Sequence, residues 1–307
     1  MKVHILGCYS ATPRALTNPT AQVLEIRNHL FLIDCGEGTQ VQLRKNKIKF
    51  SRINHVFISH LHGDHFFGLP GLVSTFRLLG RKKELHIYGP KGIKEAITLM
   101  LKLGDSWTTY PLLFHELGSK GSELIFDDDK VTVETIPLKH RIYTNGFLFK
   151  EKPALRKLNI VAAQKYGVDK SQFNLIKQGS DGTDTEGKTI FNELLTHDPE
   201  PSKSYAFCSD TVYDEGLVNF LRKVHVLYHE STFLTSDEHL ALKTKHSTAA
   251  QAAKIAKLAD VGTLILGHYS TRYGSLELFK KEAEAHFDRV ALADDGKVFD
   301  FSGNLSQ

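Results

Sequence analysis

The segment Ser59-His60-Leu61-His62-Gly63-Asp64-His65 constrains this chain more than any other. Three imidazoles and a carboxylate fall between His60 and His65, directly after the apolar, β-branched run His55–Ser59. Such a set packs poorly as core, and neutral imidazole is the commonest protein metal ligand. A loop at the C-terminal end of a buried strand can aim alternate side chains into one crevice, where α/β sheets hold their ligands. His60 and His62, two residues apart, can converge on one cation. Asp64 and His65, being adjacent, most easily serve a second. The competing reading is a polar surface turn, which has no use for so many ligand types in one place.

The rest of the chain supplies a scaffold for such a site. Its 307 residues are 41% hydrophobic and 24% charged, values that exclude disordered and collagen-like classes. No apolar run is long enough to span a membrane, and Met1–Gly7 enters a strand with no secretory h-region. Cys8, Cys35 and Cys208 are odd in number and set in apolar runs, as expected of buried thiols in a reducing compartment. Cytoplasmic residence is the expectation. The formal charge of +4 is too mild to announce a nucleic-acid binder.

Strands are predicted at Val3–Leu6, Gln22–Ile26, Leu30–Ile33, His55–Ser59, Leu85–Tyr88, Val131–Pro137, Tyr205–Cys208, Val224–Tyr228 and Thr263–Leu266. Helices are predicted at Glu37–Arg44, Phe66–Leu79 (broken early by Gly68 and Pro70-Gly71), Ile93–Lys102, Thr248–Leu258 and Leu276–His286. The alternation of buried strands and helices indicates an α/β layered fold. Between about Lys150 and Lys203 glycine and proline punctuate the chain and no long periodic segment occurs. This stretch reads as an arm inserted into a single domain spanning 1–307.

Further candidate ligands stand singly after strands: His140, Asp210 and His268. With the first cluster they make seven, more than one zinc ion takes. They fit a two-metal site with Asp210 bridging, in which His60, His62 and His140 hold one ion and Asp64, His65 and His268 the other. The absence of cysteine among them argues against a structural zinc. Phe66-Phe67 is assigned to core packing behind the loop. His4, His29, His55, His86, His115, His197, His225, His239 and His286 are expected to lack convergent partners, and His229 to be structural.

The stretch His60-Leu61-His62-Gly63-Asp64-His65 resembles the HxHxDH signature of the metallo-β-lactamase fold, and His140, Asp210 and His268 follow in the order of its later motifs. Within that fold the chain resembles the tRNase Z (ribonuclease Z) family in its short bacterial-type form. The likeness rests on Phe31–Gln40, His62–Leu72, Tyr88–Gly92, Tyr228–Phe233, His246-Ser247-Thr248 and Gly267–Tyr273. The last three segments separate it from the thioester hydrolases and lactonases that share the metal signature. The resemblance implies an αββα sandwich with an inserted flexible arm, two Zn²⁺ per subunit (Mn²⁺ is compatible with the same ligands), a homodimer, and precursor tRNA as substrate. It implies endonucleolytic cleavage after the discriminator nucleotide, leaving a 3′-hydroxyl on the tRNA and a 5′-phosphate on the trailer. Asp64 then serves either as ligand alone or also as proton acceptor. His246, paired with Glu230, becomes the general acid or phosphate clamp, against the alternative of an exposed histidine at a helix cap. Pro13, Arg14, Arg272, Lys157 and Lys170 become candidate substrate contacts. The first part of the arm, Lys150 to Ser180, holds seven Lys/Arg against two Asp/Glu, which suits a phosphate ribbon. The rival readings are a hydrolase of small phosphodiesters, esters or lactones, and a catalytically silent RNA-binding protein.

Overall fold

Short apolar runs between turn residues build two seven-stranded sheets, seen in the computed structural model of the chain, which describes residues 1–303. The last four residues of the expected 1–307 domain lie outside the described residues. The first sheet contains β1 (Lys2–Gly7), β2 (Ala21–Ile26), β3 (His29–Ile33), β4 (Ile53–Phe57), β5 (Leu85–Pro90), β6 (Leu112–Leu117) and, from the far end of the chain, β18 (Val298–Asp300). Their order is β18-β1-β2-β3-β4-β5-β6, and β3 through β6 run parallel. The β2–β3 hairpin turns on Arg27 and Asn28, both in the left-handed region, as a primed two-residue turn requires. The second sheet contains β7 (Leu124–Asp127), β8 (Val131–Leu138), β9 (Thr144–Glu151), β14 (Ser204–Cys208), β15 (Val226–Glu230), β16 (Thr263–Gly267) and β17 (Val290–Leu292). Its order is β17-β16-β15-β14-β9-β8-β7, with β14 through β17 parallel.

Both faces of each central strand are apolar, so every sheet is covered twice. In β3 and β4, Leu32 and Val56 face a helical layer of α1 (Thr39–Lys45), α3 (Gly68–Leu78) and α4 (Ile93–Leu103), packing with Leu43, Leu69, Phe76 and Ile97. Their neighbours Phe31 and Phe57 point the other way and meet Phe149 and Phe147 of the second sheet at ring-centroid separations of 5.4 and 5.5 Å. Ala252 and Ala256 of α10 (Ala249–Leu258) and Phe279 of α11 (Glu277–Glu284) close the outer side of the second sheet. The result is the expected αββα sandwich.

Several boundaries differ from the predicted ones. The ligand-bearing strand is Ile53–Phe57, two residues earlier, because the backbone leaves the sheet before Ser59. The helix expected at Phe66–Leu79 is two, α2 (Gly63–Phe66) and α3, with the break at Phe67. Pro70-Gly71 does not break α3, because Pro70 sits in the first turn, where its missing N–H has no intrahelical partner to lose. Strands β6, β7, β9, β17 and β18 were not expected. The last is three residues long and gains its identity from β1 at the opposite end of the chain.

The inserted stretch was expected as a flexible arm without periodic elements, yet Glu151–Ser202 forms a compact unit with its own core. It contains β10 (Lys157–Leu158), α5 (Ile160–Lys165), α6 (Phe173–Lys177), β11 (Gly182–Thr183), β12 (Thr189–Ile190), α7 (Asn192–Leu195) and β13 (Thr196–His197). Ala163, Val168, Ile176, Ile190 and Leu195 are buried together. Its elements are too short for periodicity to reveal them. Asn192 holds them by donating to the carbonyls of Ile176 (2.7 Å) and Ser180 (2.6 Å). Asn159 caps α5 by accepting from the Ala162 amide at 3.0 Å.

The first turn of α3 rests on the chain just after β3. A Cβ on Gly68 would lie 2.0 Å from the Gly36 carbonyl oxygen and 2.9 Å from that of Cys35, both backbone atoms that cannot swing aside. Gly68→Ala is expected to destabilise the fold by about 1–3 kcal/mol despite alanine's better helix propensity. Chemical denaturation checks this, and unchanged or raised stability would count against the packing described.

Candidate metal centre

The parallel strands of both sheets end on one crevice, and the chemistry-bearing residues follow those ends. His60 and His62 come after β4, and Asp64 and His65 ride on α2. His140 follows β8, Asp210 follows β14, and His268 follows β16. Asp34 after β3, Asp210 and His268 all adopt positive φ (56°, 55° and 58°). A left-handed residue just past a strand turns the chain sharply and swings its side chain back over the strand end. Asp and His tolerate that conformation better than bulky residues do.

The seven predicted ligands come together as two sets sharing Asp210. Asp210 Oδ2 lies 3.6 Å from His60 Nε2 and 3.6 Å from His140 Nε2. His62 Nδ1 completes this set, 3.0 Å from His60 Nε2 and 3.3 Å from His140 Nε2. The other carboxylate oxygen, Oδ1, lies 3.2 Å from both His65 Nε2 and His268 Nε2. Asp64 Oδ2 completes the second set, 3.4 Å from each of those nitrogens. Ligands about 2.0–2.1 Å from a tetrahedral zinc are about 3.3 Å apart, so these spacings are those of ligand-to-ligand edges. An all-nitrogen-and-oxygen donor set of this geometry fits two divalent ions.

Three of the outer ring nitrogens are anchored, which fixes those tautomers so that the inner nitrogen is free to ligate. His65 Nδ1 donates to Asp34 Oδ2 (2.6 Å), His268 Nδ1 to Thr232 Oγ1 (2.9 Å), and His140 Nδ1 to the Lys245 carbonyl (2.8 Å). Asp34 accepts in addition from the amide (2.7 Å) and hydroxyl (2.8 Å) of Ser59. Burial works against ionisation of Asp64, but the flanking His65 and His268 overcome it and hold its pKa far below the usual carboxylate range.

His246 and Glu230 stand beside the two sets. Glu230, wholly buried, accepts from the amides of Thr211 (2.8 Å), Thr232 (3.2 Å) and Ser247 (3.1 Å), from the Thr232 hydroxyl (2.6 Å) and from His246 Nδ1 (2.9 Å). Burial opposes a charged imidazole, yet the Glu230 carboxylate, with Asp210 behind it, raises the His246 pKa to about 9. The expected helix cap is real but belongs to Thr248, whose hydroxyl accepts from Gln251 N at the start of α10. His246 instead lines a cavity of about 420 Å³ together with Asp64, Asp210, His268, Arg272 and Arg141.

The candidate substrate contacts separate. Arg272 lines this cavity, pairing with Asp237 at 3.5 Å and lying over the Phe233 ring at 5.2 Å. Pro13 lines an adjoining cavity with Asp64 and Phe67. Arg14 lines neither and is exposed, with its guanidinium 3.5 Å from the Tyr273 carbonyl. Lys157 and Lys170 belong to the inserted unit, where both are exposed and Lys157 is 3.6 Å from Glu200.

Two expectations need correction. Phe66 is core, but Phe67 is 66% exposed, because the turn between α2 and α3 points its ring outward. His29, His55, His86 and His115 do have partners. Strand register sets His55 opposite His86, where the rings stack 4.8 Å apart, and His86 Nδ1 is 3.0 Å from His115 Nε2. His29 stacks on Phe31 and reaches Asp128 at 2.8 Å. Asp34, Thr232 and Arg141 join the site without a distinguishing local sequence signal of their own. Asp34 and Thr232 lay within segments that carried the resemblance, and Arg141 directly follows His140. Cys8, Cys35 and Cys208 are buried and unpaired.

Comparison with known proteins first defines the class. Over 97% of this chain and 98% of its own, the metallo-β-lactamase fold protein YhfI of Bacillus subtilis shares the fold, with a TM-score of 0.68 at 18% identity. Human tRNase Z, short form, matches over 98% of this chain and 99% of its own, with a TM-score of 0.71 at 28% identity. Residues 1–146 also match the family described as anti-Pycsar protein Apyc1. Ribonuclease Z of Bacteroides fragilis is 48% identical over 292 residues, which is 95% of this chain and 96% of the relative. The chain belongs to the ribonuclease Z family, a group of metal-dependent hydrolases on this fold.

Loss of an anchoring partner should loosen the metal without removing a ligand. Asp34→Asn is expected to weaken metal retention by about 10–100-fold while the protein stays folded. Competition with a chelator, read beside circular dichroism, measures it. Unchanged metal affinity would remove Asp34 from the support of His65.

Proposed function

We propose that this chain removes the 3′ trailer from precursor tRNA, cutting after the discriminator nucleotide to leave a tRNA 3′-hydroxyl and a trailer 5′-phosphate. The reading is supported above all by one juxtaposition: the His246–Glu230 pair, 2.9 Å apart, opens on the same cavity as Asp64 and the shared Asp210. A protonated histidine placed there can deliver a proton to a departing ribose 3′-oxyanion.

Two Zn²⁺ ions held by His60, His62, His140, Asp210, Asp64, His65 and His268 would supply Lewis acidity at the phosphate and a water of lowered pKa. Asp64, kept ionised by its imidazole neighbours, accepts the proton of the attacking water and orients it in line with the phosphorus. His246, kept protonated by Glu230, delivers a proton to the departing 3′-oxygen. Arg272, held by Asp237 and Phe233, and Arg141 on the same cavity offer guanidinium groups to phosphate oxygens. Incubation with a precursor tRNA, with and without chelator, and mapping of both product ends tests the reading as a whole. Binding without metal-dependent cleavage would overturn it.

His246→Ala is expected to slow precursor cleavage by about 10²–10⁴-fold with bound metal unchanged, the loss typical of a missing general acid. The defect should shrink on a nitrophenyl phosphodiester, whose leaving group needs no proton. Equal losses on both substrates would assign His246 to phosphate clamping instead.

Pro13, Arg14, Lys157 and Lys170 are proposed as tRNA contacts, with the inserted unit gripping the folded RNA by its phosphates. Across Glu151–Ser202 the seven Lys/Arg are matched by eight Asp/Glu, so any grip comes from one face and not from net charge. Lys165 and Lys170 are exposed, whereas Arg156 pairs with Asp198. Replacing residues 154–199 with a short Gly/Ser linker is expected to weaken precursor binding severely and flatten its salt dependence. Small-diester hydrolysis should survive, since β9 and β14 remain paired. Normal tRNA processing by the shortened enzyme would reduce the unit to a surface decoration. A homodimer in the cytoplasm completes the proposal. No helix among the described residues is long and apolar enough to cross a membrane. The exposed Leu78, Leu99, Met100, Leu103 and Trp107 on and after α3 and α4 are proposed as a surface a second copy would cover.

A further inference from the structure

A separate cavity of about 580 Å³ opens where α1 ends, just ahead of β4, at the opposite end of that strand from the metal ligands. Six cationic residues line it, namely Arg44, Lys47, Lys49, Arg81, Lys82 and Lys83, and no Asp or Glu does. None of the six makes an ion pair among the described residues. Arg81 is the telling member. It is 9% exposed, and its guanidinium donates to the carbonyls of Lys83 (2.6 Å), Ile53 (2.9 Å) and Glu84 (2.6 Å) and to the Asn54 amide oxygen (3.0 Å). Every acceptor is neutral, so a nearly buried charge is hydrogen-bonded but not neutralised. Such a charge needs compensation, which the ring faces of Phe76 (4.8 Å) and Tyr110 (5.5 Å) supply only in part, since they carry no net charge. The remaining five cations surround it and add to the unbalanced field.

The floor has the opposite character. Ile48, Phe50 and Leu79 present apolar surface, with the Arg44 guanidinium 5.2 Å from the Phe50 ring centroid. A volume of this size is that of a small-molecule site, and a mostly apolar floor with convergent charges at the rim selects a ligand with both parts. The cations are confined to two short stretches, 44–49 and 81–83, and do not form a track. A polyphosphate chain concentrates three or four negative charges in that space. An RNA strand brings one per nucleotide and would need a longer groove.

We propose that this cavity binds a nucleoside polyphosphate, with its phosphates among Lys47, Lys49, Lys82 and Lys83 and its base against Ile48, Phe50 and Leu79. The site is remote from the reacting centre. Two elements close to the metal loop in the chain nevertheless reach it: the turn Phe50–Arg52 leads directly into β4, which the loop follows, and α3, which follows α2, ends beside it at Phe76 and Leu79.

Isothermal titration of the metal-loaded protein with ATP tests this, using inorganic tripolyphosphate as the second probe. Wild type is expected to bind ATP, and tripolyphosphate at least about fivefold more weakly. The double variant Lys49→Glu/Lys82→Glu should bind ATP at least about tenfold more weakly, since two attractive contacts become repulsive. Both side chains are exposed, so its turnover of a small phosphodiester should be unchanged, and Lys47→Glu/Lys83→Glu should reproduce the loss. His62→Ala should bind ATP as wild type does. Binding that vanishes in His62→Ala but persists in the lysine variants places ATP on the metal ions and overturns the proposal. Equal affinity for tripolyphosphate overturns the assignment to nucleotides. Absence of ATP binding overturns it as well; if precursor-tRNA affinity then falls in the lysine variants, the cavity belongs to the RNA-binding surface.

Discussion

The carboxylate of Asp210 holds the two halves of the site in one place. It is 2% exposed, in surroundings where an isolated negative charge would be prohibitively unstable. Of the candidate ligand sets, two imidazoles face each oxygen, and they come from the segment after β4, from α2, and from the ends of β8 and β16, while His246 Nδ1 lies 4.0 Å from Oδ2. Each of those elements must therefore finish at the same depth in the sandwich. That is a demand on strand register across both sheets, not on the loop sequence alone. The left-handed backbone at Asp210 and His268 is the local cost of bringing side chains back over the strand ends.

A second buried carboxylate, Glu230, ties the candidate proton donor to this frame. Its five donors come from the ends of β14 and β15 and from the turn before α10. Thr232 sits between it and His268, donating to Glu230 and accepting from the imidazole, so acid and metal ligand share one hydrogen-bonded chain. Lys245, in the left-handed conformation at the end of a helix over Glu238–Thr244, offers its carbonyl to His140 and places His246 next in line. Most of these groups stand on short segments just past strand ends, where hydrogen bonds to buried or backbone partners fix them.

The inserted unit shows how a charge count depends on the window. Read to Ser180, it is strongly basic; read to Ser202, its acids outnumber its bases. Folding brings the halves together, and pairs such as Arg156–Asp198 and Lys157–Glu200 consume part of the early surplus. What remains available to a polyanion is set by which surface cations make no ion pair among the described residues, Lys165 and Lys170 among them.

The residues that converge as candidate metal ligands were legible in the chain because they follow apolar strands, and strand ends are marked by where hydrophobic runs stop. Four of the seven stand in one short loop, and the other three occur one per strand. The sandwich was legible for the same reason, since strands apolar on both faces must be covered on both. Three things required the tertiary structure. Asp34 and Thr232 act through contacts to residues far along the chain, and nothing in their local sequence distinguishes them from ordinary strand-end polar residues. The stacked histidines His55 and His86 are aligned by strand register, which no single segment encodes. Strand β18 and the cationic cavity beside β4 arise only when distant segments are brought side by side. Periodicity reports what a residue does within its own element; partnership between elements is decided by packing.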